Sequence, residues 1–146
     1  MNTSAYNFPG SLWSSVTGCS SGLGLNLTQA VLAKGERVIA TLRKPEAIAH
    51  LAEKYSKEQL LILSLDVRFP DQIDSAFDAT RDKFGRLGVV VNNAGYGLLG
   101  EVEGTDDATA RNLFDVIFWG AVTISRKVDA YLGSILYHHL TLITSQ

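Results

Sequence analysis

At 146 residues the chain is long enough for one domain, burying about two-thirds of the surface its unfolded form would expose. A hydrophobic fraction of 46% with a formal net charge of −2 excludes a disordered or collagen-like chain, and without a basic excess no nucleic-acid partner is expected. No apolar run approaches membrane-spanning length, the first basic residue is Lys34, which argues against a signal or transit peptide, and the lone Cys19 suits a reducing compartment. A cytoplasmic protein with no membrane association is the expectation.

Residues 1–11 are polar and punctuated by Gly and Pro, and read as a loose leader. From there apolar strands alternate with amphipathic helices. Leu12–Val16 reads as the first strand, and the helix after the following glycine turn runs to about Lys34, closed by Gly35. Arg37–Leu42 is the second strand. Pro45 suits the first position of a helix whose apolar face is Ile48, Leu51 and Tyr55. Leu60–Leu65 is uniformly apolar, as a parallel strand covered on both faces would be. Asp71–Phe84 carries Ile73, Ala76, Phe77, Thr80 and Phe84 at helical spacing and stops at Gly85. Val89–Asn92 is the fourth strand. A loop with Gly95, Gly97, Gly100 and Gly104 leads to a long helix from near Thr105, with Asp106 and Asp107 in its first turn and Arg126-Lys127 near its end, as the helix dipole favours. Leu140–Thr144 is the fifth strand. This alternation predicts an α/β fold, a doubly wound parallel sheet.

The segment Thr17-Gly18-Cys19-Ser20-Ser21-Gly22-Leu23-Gly24 carries the most chemistry. It joins the first strand to the first helix, where small residues let the backbone turn sharply and bring amides at a helix start toward a pyrophosphate. It resembles the TGxxxGxG turn of the short-chain dehydrogenases/reductases. Asn92-Asn93-Ala94-Gly95 resembles that family's NNAG element, and Asp66-Val67 matches the Asp that the family uses beside the adenine. The resemblance covers nearly the whole chain and is weakest before Leu12 and between Lys127 and His139.

The resemblance implies a Rossmann-like sheet of about five strands in the order 3-2-1-4-5, incomplete relative to the family, over residues 12–146. It implies that Gly18, Ser20, Gly22, Leu23 and Gly24 hold the pyrophosphate, that Asp66 and Val67 flank the adenine, and that Asn93, Ala94 and Gly95 line the crevice. Charge bears on which dinucleotide is taken. A carboxylate ending the second strand would bond the ribose 2′-hydroxyl of NAD and repel a 2′-phosphate. Thr41-Leu42 stand there instead, followed by Arg43-Lys44, so NADP is expected over NAD, with Arg43 on the 2′-phosphate.

In the family a Tyr-x-x-x-Lys pair, a Ser and a helix Asn perform alcohol–carbonyl interconversion. Tyr6, Tyr55, Tyr96, Tyr131 and Tyr137 are followed four residues on by Gly10, Gln59, Gly100, Ile135 and Thr141, so none heads such a pair. Ile117 stands where the FDxNxxG helix has its Asn and reads as a core residue. Ile143-Thr144-Ser145 resembles the family's "ISS", leaving Ser145 as the sole surviving catalytic candidate. The chain therefore reads as truncated before the Tyr/Lys pair. Elsewhere, His138-His139 are adjacent and face opposite ways in a strand, so they hold no metal together. Glu101 and Glu103 read as solvated, and Cys19 as packing. Three functions stay open: part of a working NADP-dependent oxidoreductase, a non-catalytic dinucleotide-binding protein, or a structural or interfering subunit that pairs with a full-length relative through its long fourth helix; self-association is expected separately, at the outer edge of the fifth strand. The substrate is not legible.

Overall fold

The computed structural model describes residues 13–85, 87–132 and 138–141, with side chains as far as Ala130. Five strands form one parallel sheet in the order β3-β2-β1-β4-β5. They are β1 (Trp13–Thr17), β2 (Arg37–Leu42), β3 (Leu60–Ser64), β4 (Leu87–Asn92) and β5 (His138–Thr141). The expected strand order is the observed one, and it arises because the connection after β3 passes back over the sheet to the other side of β1.

Alternation along the central strands sends side chains to opposite faces. Val38, Ala40 and Leu42 of β2 join Val16, Leu32, Ile48 and Leu51 under α1 (Gly22–Ala33) and α2 (Ala49–Lys54). Ile39, the next residue over, joins Trp13, Ile73, Phe77, Val90 and Ile124 on the other face, under α3 (Pro70–Phe84) and α5 (Ala121–Leu132). Helices thus cover both faces, which is why β2 is apolar throughout. β3 has apolar neighbours on both faces as expected, but it is the outer strand, so Leu61, Ile62 and Leu63 are only half-buried.

Several boundaries differ from expectation for identifiable reasons. β4 begins at Leu87 rather than Val89, and its pairing with β1 skips Gly88, a bulge that reads locally as loop. β5 starts at His138 rather than Leu140, since its register is fixed by β4, with Val89 opposite His138 and Asn92 opposite Thr141. The Pro45 helix begins as a single 3₁₀ turn, Pro45–Ile48, before α2. Asp106 is the cap of α4 (Asp107–Phe114) rather than a first-turn residue: its carboxylate accepts from Thr109 N at 2.9 Å and Thr109 Oγ1 at 2.7 Å.

The long helix is also not uniform. Between α4 and α5 the chain makes a π-helical stretch, Asp115–Gly120. Because α5 continues to Leu132, Arg126 and Lys127 lie more than a turn before its end. Lys127 instead pairs with Asp74 of α3 at 2.6 Å. The leader 1–11, Leu12, Leu142–Thr144 and Ser145 lie outside the described residues, as do the side chains of His138 and His139. Among the described residues no helix is long and apolar enough to cross a membrane.

Candidate dinucleotide-binding site

The C-terminal ends of the parallel strands open onto a cleft of about 450 Å³. It sits where the strand order reverses, between β1 and β4, the place where open α/β sheets bind ligands. Its walls come from four segments distant in sequence: the turn after β1 (Gly18, Ser20, Ser21), the end of β2 (Leu42, Arg43), the loop after β3 (Leu65–Arg68), and the loop after β4 (Asn93–Tyr96). Asn112 and Val116, from α4 and the π stretch, close one side.

One polar residue ties the first and last of these loops together. Thr17 Oγ1 accepts from the backbone N–H of Asn93 at 3.0 Å and of Ala94 at 2.9 Å, while Asn93 Nδ2 donates back to Thr17 O at 2.8 Å and to Gly18 O at 3.3 Å. Within this clamp Gly18 has φ +71°, a conformation that penalises any side chain, and a Cβ there would lie 2.8 Å from Ala94 Cα. Gly24 serves the same contact from behind. It is buried, and a Cβ on it would meet Asn93 Nδ2 and, at 2.5 Å, Gly18 O. The small residues therefore bring two loops and a helix start into van der Waals contact and keep side chains out of the cleft floor.

The sequence-derived residues distribute as follows. Gly18, Ser20, Arg43, Asp66, Val67, Asn93, Ala94 and Gly95 all line the cleft. Gly22 opens α1, Leu23 is exposed beside it, and Gly24 lies in the packing underneath. Ser145 is outside the described residues. Cys19 is a packing residue. It is fully buried, its thiol contacts Val16 O at 3.1 Å and accepts from Thr28 Oγ1 at 3.3 Å, and burial pushes its pKa up to about 11, so it is no nucleophile. Ile117 is half-buried rather than a full core residue, because the π stretch turns Val116 toward the core and seats Gly120 against Val67. Glu101 and Glu103 are exposed.

Sequence reasoning missed the linked polar side chains of the cleft, Arg68, Asn112 and Tyr96. Arg68 Nε donates to Asp66 Oδ1 at 3.0 Å and Oδ2 at 3.1 Å, its Nη2 donates to Oδ2 at 2.5 Å, and its Nη1 reaches Asn112 Oδ1 at 2.5 Å. Asn112 Nδ2 in turn donates to Tyr96 Oη at 2.9 Å. The hydrogen bonds from Arg68 hold the Asp66 carboxyl below its usual pKa, and the carboxylate in turn holds the guanidinium proton more firmly. The Asp-x-Arg spacing was a faint signal for the local pair. Nothing local marked Asn112, which is 44 positions from Arg68.

Comparison with known proteins agrees with this layout: the short chain dehydrogenase family profile matches residues 13–135. The chain belongs to the short chain dehydrogenase family. Among its relatives, oxidoreductase BOA17 of Botryotinia fuckeliana is 37% identical over 130 residues, covering 89% of this chain and 47% of that protein. A short-chain dehydrogenase structure from Streptomyces avermitilis superposes with TM-score 0.75 at 34% identity, over 86% of this chain and 43% of that one. The closed form of a serine dehydrogenase complexed with NADP+ gives TM-score 0.82 at 25% identity, over 89% and 53%. The chain thus spans about half the length of the family members it matches. Family members bind nicotinamide dinucleotides, and neighbours of this fold have been solved with NADP+ and with NADH.

The residues present fit such a group. The cleft floor is kept bare by Gly18, the helix start behind it offers backbone N–H groups that have no partner within a helix, and Arg43 adds a cation at the lip.

Proposed function

We propose that this chain is the NADP(H)-binding portion of a short-chain dehydrogenase that interconverts alcohols and carbonyls. The observation that carries the reading is the end of β2. It brings Arg43 to the cleft with Thr41 and Leu42 where an acid would oppose a 2′-phosphate, and Asp66, the acid of the cleft wall, is paired with Arg68. The dinucleotide, when bound, supplies or accepts a hydride. The chain's own residues bind and orient it: Gly18, Ser20 and the start of α1 at Gly22, Leu23 and Gly24 around the pyrophosphate, Arg43 on the 2′-phosphate, Asp66 and Val67 at the adenosine end, and Asn93, Ala94 and Gly95 along the crevice. Residues 12–146 act as one dinucleotide-binding unit, residues 1–11 as its leader, and Ser145 as the counterpart of the family's serine. A reducing compartment such as the cytoplasm suits the free Cys19.

Titration with NADPH and NADH tests this, with Arg43→Ala as the comparison. A charge-assisted contact is worth about 1.5–3 kcal/mol, and an exposed arginine sits at the low end, so NADPH should bind about tenfold more tightly and the mutant should lose that margin. Equal affinities, or an unchanged preference in the mutant, would refute it.

A second reading is favoured by a different observation. Phe114, Phe118 and Trp119 are 56%, 50% and 54% exposed along one side of α4 and the π stretch, where they line a groove with Asp107, Arg111 and Asp115. Such a face suits pairing with a second copy or a full-length relative. Sedimentation of wild type and Trp119→Glu tests it: a concentration-dependent dimer that the variant abolishes supports pairing, and a monomer in both removes it.

A further inference from the structure

β1 is the middle strand of the sheet, paired on both sides, and a strand so placed is ordinarily apolar throughout. Ser15 breaks that pattern. In register it stands between Ile39 of β2 and Val90 of β4, which are 1% and 2% exposed in the core under α3 and α5. Ser15 itself is only half-buried, although a strand separates it from each edge of the sheet. It lines a cavity of about 10 Å³ between the sheet and helices α3 and α5, with Ile39, Phe77, Leu87 and Ile124 among the apolar walls. A serine side chain stops at its γ-oxygen, so room that a branched apolar side chain would fill is left open here.

Three more hydroxyl-bearing residues line the same cavity: Thr17, Thr41 and Thr80. A hydroxyl has one proton to give and two lone pairs to accept with. Thr17 Oγ1 is fully used, since it donates to Val91 O at 3.4 Å and accepts from the Asn93 and Ala94 N–H groups. Thr41 Oγ1 spends its proton on Val16 O at 3.2 Å, and Thr80 Oγ1 spends its own on Ala76 O at 2.7 Å. Among the described residues nothing donates to either of these two oxygens, and the Ser15 hydroxyl has no partner. The cavity therefore brings together one unused donor, on Ser15, and two oxygens with lone pairs to spare.

We propose that this cavity is a binding site for one water molecule, which accepts from Ser15 Oγ–H and donates to Thr41 Oγ1 and Thr80 Oγ1. The room is about the least that a single water needs, and three polar partners are the usual number for a buried one, whereas a purely apolar cavity stays dry. A water so held completes the hydrogen bonding that Ser15 would otherwise forgo in the core. It also joins β1, β2 and α3 directly behind the Thr17 clamp. Larger ligands are excluded by size. The site is independent of whether the cleft takes a dinucleotide.

The experiment is a pair of crystal structures of the whole chain, wild type and Ser15→Val, at a resolution where ordered waters are placed. Wild type should show one water within hydrogen-bond distance of Ser15 Oγ and of at least one of Thr41 Oγ1 and Thr80 Oγ1. Ser15→Val removes the donor and puts methyl groups into the cavity, so that water should be lost while the surrounding side chains keep their places. A dry cavity in wild type would overturn the proposal, as would a Ser15 hydroxyl bonded to a backbone carbonyl with the cavity closed. A water that persists unchanged in Ser15→Val would overturn it too. Should Ser15→Val not fold, the wild-type density decides alone.

Discussion

Gly120 ends the π stretch at the point where the long helix crosses the loop after β3. A Cβ placed there would lie 2.8 Å from Val67 Cγ2, 2.9 Å from Val67 Cβ and 3.0 Å from Val67 O, against 3.4–4 Å for ordinary contact. Two effects oppose each other in Gly120→Ala. Alanine gains about 1 kcal/mol over glycine in a helix. Overpacking a fitted site costs about 1–3 kcal/mol, and here the upper part of that range applies, because one of the three clashing atoms is a backbone carbonyl that cannot rotate away. The clash should win by about 1–2 kcal/mol, lowering Tm by about 2–4 °C for each kcal/mol in a chain of this size. Because Val67 also lines the cleft, the displaced loop should weaken NADPH binding in the same variant. Removing the two methyl groups with Val67→Ala relieves part of the overlap, so the double variant should be more stable than the sum of the singles by about 0.5–1.5 kcal/mol. Urea unfolding of the four proteins at constant m-value measures this. A stabilised Gly120→Ala with strictly additive behaviour would show that the helix is not seated on Val67.

Gly18→Ala places a side chain at φ +71° and against the Ala94 backbone; it should lose about 2 kcal/mol or more in denaturant unfolding together with its affinity for NADPH, and retention of both would refute the clamp. The Asp66–Arg68 pair predicts a pH effect. The carboxyl pKa is lowered in the folded chain, so its stabilisation is complete above about pH 4, the ordinary carboxylate range, and is lost as pH falls through the lower folded value. Tm measured between pH 5 and pH 2.5 should therefore fall more steeply for wild type than for Asp66→Asn, and parallel curves would contradict the pairing. The 146 residues on their own should show no dehydrogenase turnover when NADPH absorbance is followed over a panel of aldehydes and ketones. Loss of a positioned acid/base alone costs about 10²–10⁴-fold, and none of the five tyrosines has a lysine four residues on. Turnover that Ser145→Ala abolishes would refute this.

The layout was legible from sequence because its determinants are local. Apolar runs at Arg37–Leu42 and Leu60–Ser64, helix stops at Gly35 and Gly85, and the glycine turn after β1 each act within a few residues. Their chain order then leaves few topologies, and the parallel order followed. Errors arose where a neighbour decides. The start of β4 depends on a bulge opposite Trp13, and the start of β5 on the register of β4. The π stretch answers to how closely Gly120 must approach Val67, a contact between positions far apart in the chain. At the site, residues with a motif were found and those without one were not. Arg68, Tyr96 and Asn112 become a unit only once β3, β4 and α4 converge on one cleft.

A crystal structure of the chain grown with NADP+ tests the central claim most directly. The proposed function predicts density for the pyrophosphate against Gly18–Ser21, with the 2′-phosphate beside Arg43 and the adenine beside Asp66 and Val67. Density that lies elsewhere on the molecule, such as the aromatic groove of α4, or an empty cleft at saturating NADP+, would contradict it.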